Sequence, residues 1–337
     1  MITIAVTSRR IAKAGDFPHY LAVRIPPSLA DKIERIHGAA GREWLRTFPV
    51  LLEECCARWS LQLEKPFANL SYNIVLPGTA RLPGSTHRTG VVLKLGVPCA
   101  ELDNEVRALH FFKGEGAARL LDQEVQRGAL VLERVIPGTS LHLHSETSDA
   151  DATWIAAALM RHLWSAAETN ISAATEESLP ALAKWFQAFE RLRKTFDGGT
   201  GLFPDRLIAG AEVTFAELIA SADTRVVLHG DLHHDNILFS ASRGWVAIDP
   251  KGIIGDPGYE VGSFMLNQLP QEASEIDILQ ILKGRLEIFS VELGISRQRL
   301  ARWAFCHAVL SAVWDFEEAA DWSGTARLAE MFEQLGR

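Results

Sequence analysis

The stretch Val227-Leu-His-Gly-Asp-Leu-His-His-Asp-Asn-Ile-Leu-Phe239, with Val246-Ala-Ile-Asp-Pro250 a few residues later, decides how this chain is read. Arg225 to Leu228 has the character of a short β-strand that delivers Asp231 to a loop. A carboxylate held there can orient a hydroxyl and accept its proton as a bond to phosphorus forms. Five residues on, Asn236 offers a carbonyl oxygen to a hard cation such as Mg²⁺. The apolar runs Ile237-Leu-Phe239 and Trp245-Val-Ala-Ile248 read as a hairpin through Ser240-Ala-Ser-Arg-Gly244, which returns Asp249 to the same side as a second oxygen ligand. Taken singly, Asp231 is a common turn former and Asn236 a common local cap. The ordered set, with Gly230 inside it, favours phosphoryl transfer over those plainer readings.

The pattern resembles the catalytic loop of the aminoglycoside phosphotransferases, relatives of protein kinases, in which His-Gly-Asp-Leu-x-x-x-Asn precedes an Ile-Asp metal ligand. His229, His233 and His234 invite a zinc reading. Closely spaced histidines on a loop, without Cys partners or a His-x-x-x-His helix, make a poor metal site, so loop-shaping roles are expected of them.

The frame is that of an ordinary soluble globular protein: 337 residues, 47% hydrophobic and 23% charged, enough for one or two substantial cores. A formal net charge of −8 and the lack of a Lys/Arg-rich tract argue against nucleic acid as partner. Cys55, Cys56, Cys99 and Cys306 show no repeated spacing and demand no disulfide. No apolar run reaches membrane-spanning length, and the N-terminus, with Arg9, Arg10 and Lys13 before Gly15-Asp-Phe-Pro18, lacks the apolar core of a secretory signal, so a cytoplasmic protein without membrane partners is expected.

Along the chain, Leu29 to Ile36 reads as a short helix with Ser28 as cap and Gly38 near its end. A second helix is expected from about Gly41 to Trp59, with Trp44, Leu45, Phe48, Leu51, Leu52, Cys55 and Trp59 on one packing stripe and Pro49 interrupting it. Phe67 to Leu76 and Thr89 to Leu95 read as strands, separated by a Pro/Gly-rich segment from Pro77 to Gly84. In a kinase-like lobe the turn between such strands covers the nucleotide phosphates. Asn69 to Asn73 occupies that place without a Gly-x-Gly-x-x-Gly, leaving Ser71 and Asn73 as candidate phosphate donors.

Lys94 is a single cation on the apolar run Val91-Val-Leu-Lys-Leu95, and an inward-pointing ammonium needs an anionic partner. The α/β-phosphates of ATP would supply one, with Glu105 on the following helix, Glu101 to Phe112, steadying the amine and Glu101 as its rival. Arg119 to Leu121 and Gly128 to Val135 are expected as further strands, ending at Ile136-Pro-Gly138, the connection between lobes. Adenine would pair there with backbone around Glu133 to Val135. Beyond Thr139 helices are expected at Asp151 to Thr169, Leu179 to Phe196 and Asp205 to Ala222.

The resemblance extends from about residue 26 to 320 and narrows to the streptomycin 6-kinase and hydroxyurea kinase branch. It rests on Gly41-Arg-Glu-Trp-Leu45 with Leu51 to Trp59, Val92-Leu-Lys-Leu-Gly96, Gly116-Ala-Ala-Arg-Leu-Leu121, Gly128-Ala-Leu-Val-Leu-Glu-Arg134, Pro137-Gly-Thr139 and His229 to Asp249. Gly244-Trp-Val-Ala-Ile-Asp-Pro250 and Gly252-Ile-Ile-Gly-Asp-Pro257 are similar to the branch patterns Gly-Trp-x-x-Ile-Asp-Pro and Gly-x-x-Gly-Asp-Pro. The resemblance implies an α+β, two-lobed protein-kinase-like fold: residues 1–135 as a nucleotide-binding lobe with a helical extension at about 26–60 and a small antiparallel sheet, and 136–337 as a mainly helical catalytic and acceptor-binding lobe. It implies ATP and Mg²⁺ as cofactors and an antibiotic hydroxyl as acceptor, with Asp231 as base, Asn236 and Asp249 as metal ligands, Lys94 as phosphate clamp and Glu105 as its partner.

A cationic, hydroxyl-rich acceptor needs carboxylates near Asp231, and Asp256, Glu260, Asp315 and Glu318, with Asp321, are the candidates. Each has a plainer reading: Asp256 as a brace for the loop, the others as a solvated acidic face. Streptomycin-type 6-O-phosphorylation leads, ahead of a kinase for another hydroxylated metabolite or aminoalcohol and of a nucleotide-binding relative without catalysis. The joint presence of Asp231, Asn236, Asp249 and Lys94 argues against the last, since a pure binding module needs no base beside a metal site.

Overall fold

The computed structural model describes residues 23–67, 70, 72–82, 84–143, 148–165, 171, 173–270 and 272–336. Asn69, Ser71, Thr169 and the basic N-terminal stretch lie outside the described residues. The chain divides into two compact units. The first holds the described residues up to Val106 together with Arg119–Arg134, and the second holds Arg107–Ala118 and everything from Val135 onward.

In the first unit, α1 (Pro27–Arg58) is one element broken at Gly38, whose φ of 56° and ψ of −126° interrupt the helix where the sequence places the end of a first helix. It starts at Pro27, not after a Ser28 cap: a proline in the first turn forfeits only an N–H that has no helical partner there, and Pro26 takes the capping position without a side-chain bond. The expected stripe is buried, Leu45 only partly. Five antiparallel strands follow: β1 (Gln62–Leu63), β2 (Ile74–Ala80), β3 (Thr89–Leu95) and, after α2 (Ala100–Phe112), β4 (Leu120–Glu124) and β5 (Ala129–Glu133), in the order β1-β2-β3-β5-β4. Leu76, Leu93, Leu95 and Val131 pack with Trp44, Phe48, Leu52 and Trp59 in its core.

The expected strand at Phe67 to Leu76 is displaced. β2 starts at Ile74 and runs through Pro77-Gly78, the very pair read as a separator. Gly78 belongs there because a Cβ would lie 2.4 Å from Gln62 O, so only glycine lets β1 pair at that register. Pro77 keeps its carbonyl in the ladder, accepting from Glu64 N at 2.8 Å.

The second unit carries two small antiparallel sheets among helices. β6 (Pro137–Ser140) is followed by α3 (Asp149–Ser165), α4 (Ala173–Ser178), α5 (Gln187–Thr195) and α6 (Asp205–Ala220); β7 (Val226–Leu228), β8 (Ile237–Ser240), β9 (Gly244–Ala247) and β10 (Ile253–Gly255) precede α7 (Val261–Leu266), α8 (Glu275–Leu293), α9 (Arg297–Glu317) and α10 (Ser323–Leu335). The sheets run β6-β8-β9 and β10-β7. Two expectations are corrected here. The connection expected at Ile136-Pro-Gly138 is in part strand, since Pro137–Ser140 forms β6 on β8. The single helix expected over Leu179 to Phe196 is shortened: the Pro180 carbonyl accepts from Ile254 N at 2.9 Å and Ala181 bridges to Ile254, which keeps this stretch extended, and a 3-10 turn at Leu182–Lys184 leads into α5. α9 is buried on most sides, with Trp303, Ala304, Cys306, Val309 and Leu310 in the core.

Candidate active site

β7 ends at Leu228, and the loop that follows is tied down chiefly through His229, which is fully buried. Its N–H donates to Glu260 Oε2 at 2.8 Å, and its carbonyl accepts from Lys251 N at 2.7 Å and Gly252 N at 3.3 Å. Its ring Nε2 faces Ile248 O at 2.8 Å and Nδ1 accepts from Asp231 N at 3.2 Å, so the ring is neutral with its proton on Nε2. Burial agrees, holding the imidazole pKa down at about 4. His229 thus stitches β7, the β9 exit and the 250s segment together, a loop-shaping role. Gly230 has a φ of +86°, and a Cβ there would come within 3.0 Å of the Trp185 ring, so both conformation and space require glycine.

Asp231 emerges from this clamp with its side chain about a third exposed, at 34%. Ser263 Oγ on α7 donates to its Oδ1 at 2.8 Å. Asn236 Nδ2 donates to its main-chain oxygen at 2.9 Å, so the amide nitrogen and not the side-chain oxygen is spent on this contact. Ile248 N donates to Asn236 O at 2.9 Å, so the end of the β8–β9 hairpin brings Asp249 beside Asn236. Asp249 adopts φ +59°, a left-handed conformation that costs of order 1–3 kcal/mol for a residue with a side chain and is found where function fixes the backbone. His233 Nδ1 accepts from Asp235 N at 3.3 Å, and His234 stacks on Phe264 at 3.9 Å between centroids. No group of three or more His, Cys, Asp or Glu side chains suited to a metal is present among the described residues.

Asp256 and Glu260, expected as acceptor contacts, are buried and already engaged. Glu260 accepts His229 N and Gly230 N, both at 2.8 Å, one on each oxygen. Burial, outweighing those two hydrogen bonds, pushes its pKa up to about 7. Asp256 accepts Gly258 N at 2.7 Å and is ion-paired with Arg299. With 3% and 1% exposure, Asp256 and Glu260 present no surface to a ligand: Glu260 braces the Asp231 loop through two buried N–H groups, and Asp256 ties the turn at Gly258 to the partly buried Arg299. Asp315, at the end of α9, accepts from Thr325 Oγ1 at 2.9 Å, and burial together with Glu318 and Asp321 raises its pKa. Glu318 follows one turn later, half-buried. Asp321 is exposed and accepts Ser323 N at 3.0 Å.

In the first unit Lys94 lies on the central strand β3, 3% exposed, with Nζ 2.8 Å from both carboxylate oxygens of Glu105. The rival Glu101 sits on the exposed side of α2. Asn73 lies half-buried with its amide packed where a Cβ on Gly96 would be, 2.1 Å from Oδ1. Ser71 falls outside the described residues. Between Glu133 and Val135 the amides of Glu133 and Arg134 are taken by Arg119 O at 2.9 Å and Gly90 O at 3.2 Å, which narrows the expected base-edge donors to Val135.

Ser263, Glu260 as a backbone acceptor, and Arg285 were not legible in the loop motif. Arg285, fully buried, donates to Asp149 and, at 2.9 Å each, to Phe264 O and Asn267 O, closing the C-terminal end of α7. These contacts span from 18 to 136 residues of sequence, and no short pattern reports them.

The family model for aminoglycoside/hydroxyurea antibiotic resistance kinases matches residues 79–319, which takes in Lys94, Glu105 and the whole Asp231 loop. The chain belongs to this kinase family. Among the family's curated members, the streptomycin 6-kinase of Streptomyces glaucescens is 29% identical over 88% of this chain and 92% of its own length. The hydroxyurea phosphotransferase of Kitasatospora aureofaciens is 32% identical over 88% of this chain and 81% of its own. In fold, the chain is similar to an amicoumacin kinase solved with AMP-PNP, Ca²⁺ and its antibiotic, at a TM-score of 0.57 and 12% identity over 85% of this chain and 92% of that one. The fold is therefore the protein-kinase-like α+β fold, and the chain is a kinase of the kind that acts on hydroxyl groups.

Proposed function

We propose that this kinase is an ATP- and Mg²⁺-dependent O-phosphotransferase that uses a hydroxyl of an aminoglycoside as acceptor, with the 6-position of streptomycin as the leading candidate and antibiotic resistance as the consequence. The observation that supports the reading is the Asp231 loop, where Gly230, His229 and Asn236 fix the backbone so that one partly exposed carboxylate emerges from the loop that the Asn236–Asp249 hairpin closes. Asp231 accepts the acceptor's hydroxyl proton as the new O–P bond forms and the bond from the γ-phosphorus to the bridging oxygen breaks, releasing ADP. Asn236 and Asp249 fit Mg²⁺, since the Asn236 amide nitrogen is spent on Asp231 O and its oxygen is left for the cation. The ion would neutralise phosphate charge in the transition state. A pair of protein oxygens suffices where phosphate and water complete the shell.

Lys94, aligned by Glu105, serves the α/β-phosphates, while Asn73 and Ser71 are candidate phosphate donors and Val135 the candidate adenine contact. For the acceptor, Asp315, Glu318 and Asp321 supply negative charge. Trp185, whose ring abuts Gly230, meets Trp314 at 5.3 Å between centroids and offers a π face to a cation. Such an enzyme works where ATP is, in the cytoplasm; among the described residues no helix is long and apolar enough to cross a membrane.

Phosphate transfer from ATP should be measured with streptomycin, other aminoglycosides, hydroxyurea and aminoalcohols. Streptomycin is expected to be turned over with the highest kcat/KM; turnover of an aminoalcohol or hydroxyurea alone would overturn the acceptor assignment. Asp231→Asn should lower kcat on the order of a hundredfold or more while ATP still binds; an unaltered kcat would overturn the role of the base.

A further inference from the structure

We propose that Ser263 is a positioning residue of the transfer reaction, which occupies Oδ1 of Asp231 and thereby commits Oδ2 as the oxygen that takes the acceptor's proton. The proposal rests on Asp231 being the base. A free carboxylate turns about its Cβ–Cγ bond and offers either oxygen, so a loop that fixes only the backbone leaves the base undirected. Here the main-chain nitrogen of Asp231 donates to His229 Nδ1, its main-chain oxygen accepts from Asn236, and Oδ1 accepts from Ser263 Oγ at 2.8 Å. His233 Nε2 stands 3.9 Å from the same Oδ1. Among the described residues Oδ2 accepts no hydrogen bond, and with the side chain a third exposed it is the oxygen left to meet an incoming hydroxyl.

The donor itself is held firmly. Ser263 is 5% exposed, lies between the buried Gly262 and Phe264 on α7, and its carbonyl accepts from Asn267 Nδ2 at 2.8 Å. Arg285 closes the end of the same helix, and Glu260, immediately before it, holds the N–H groups of His229 and Gly230 at the other side of the loop. α7 and the residue that precedes it therefore grip the loop twice, once by the backbone of the two residues before the base and once by one of its carboxylate oxygens. A hydroxyl with no such task would satisfy itself on the preceding turn of its own helix.

The test is steady-state kinetics of Ser263→Ala, Ser263→Thr and Ser263→Val beside wild type and Asp231→Asn, with streptomycin and with hydroxyurea as acceptors. Ser263→Ala is expected to lose on the order of ten- to a hundredfold in kcat, the span of a hydrogen bond to a charged group, with KM for ATP and for the acceptor changed by less than about twofold. Threonine and valine add nearly the same volume, so the difference between them reads the hydroxyl alone. Ser263→Thr should exceed Ser263→Val in kcat by tenfold or more at similar thermal midpoints. If neither folds, the alanine variant, which only removes an atom, decides by itself. Ser263→Ala with wild-type kcat while Asp231→Asn is inactive overturns the proposal and leaves the base assignment standing. Threonine and valine variants that fold and are equally impaired also overturn it, since packing and not the donor would then matter. Activity retained in Asp231→Asn would overturn the underlying reading instead.

Discussion

At the scale of single residues, the Asp231 loop is held by groups buried away from solvent. Glu260 has a side-chain type suited to binding a cationic antibiotic, yet its environment gives it another task, because two buried N–H groups at His229 and Gly230 have it as their acceptor. An unpaired buried donor costs about 1–3 kcal/mol. Glu260→Ala is therefore expected to lower stability by roughly 2–5 kcal/mol and kcat with it, as read by denaturant titration and turnover, while Glu260→Gln, which keeps one acceptor, falls in between. A Glu260→Ala protein with unchanged stability would refute the bracing role. The same logic separates Glu105 from Glu101. Both lie on α2, but only Glu105 points to the buried Lys94, and an ammonium at 3% exposure without a carboxylate is not tolerated. Lys94→Met should therefore raise KM for ATP on the order of tenfold or more, the loss of a charge-assisted contact to phosphate; wild-type nucleotide kinetics would remove the clamp role.

At the scale of elements, α7 is the least conspicuous helix of the second unit and among the most consequential. It has six residues, too few to be stable from backbone bonds alone, and depends on Arg285 to satisfy its last carbonyls. Arg285→Met fills similar space but removes the donors to Asn267 O and Asp149 and one of the two to Phe264 O, and should destabilise the protein by about 2–4 kcal/mol while lowering kcat through the displaced Ser263. Differential scanning calorimetry and single-turnover kinetics would show both effects; a stable variant with normal turnover would mean that α7 holds its place without the guanidinium. In the first unit, Pro77-Gly78 carries the same lesson in reverse. Residues that usually end strands sit inside β2, because β1 crosses so closely that a side chain at position 78 is excluded.

At the scale of the whole molecule, the pH dependence of stability follows from what is buried. His229, His234 and His307 are held neutral by burial with pKa values of about 4, 3 and 4, below the ordinary 6.5. The unfolded chain takes up these protons first as pH falls below 6.5, so the stability they confer is complete above that point and is lost on acidification toward pH 4. Glu260, raised to about 7 from 4.5, acts in the opposite sense: the folded state keeps its proton longer, so its contribution weakens as pH rises between those values. Three groups outweigh one. Unfolding free energy is expected to fall by on the order of 3 kcal/mol between pH 7 and pH 5, measured by denaturant titration; a flat profile over that range would show that the histidines are not buried neutral.

The sequence by itself determined the Asp231 loop, the β8–β9 hairpin, the strand bearing Lys94 and the helix bearing Glu105. These depend on short-range periodicity and on residues within a dozen positions of one another, where spacing nearly fixes geometry. The apolar runs on either side of the Asp231 loop are of this kind, whereas the left-handed backbone at Gly230 and Asp249 came only with the structure. Only the tertiary structure decided that Glu260 braces the loop and Asp256 pairs with Arg299, that Pro180 is held extended beside Ile254 ahead of a shortened helix, that Pro77-Gly78 lies within a strand, and that Ser263 fixes one oxygen of Asp231. In each case the deciding partner lies far away along the chain: Arg299 for Asp256, Ile254 for Pro180, Asp231 for Ser263. Burial, which sets whether a carboxylate binds a ligand or an amide, is a property of the packed chain, and a side chain's chemistry does not announce which it will meet.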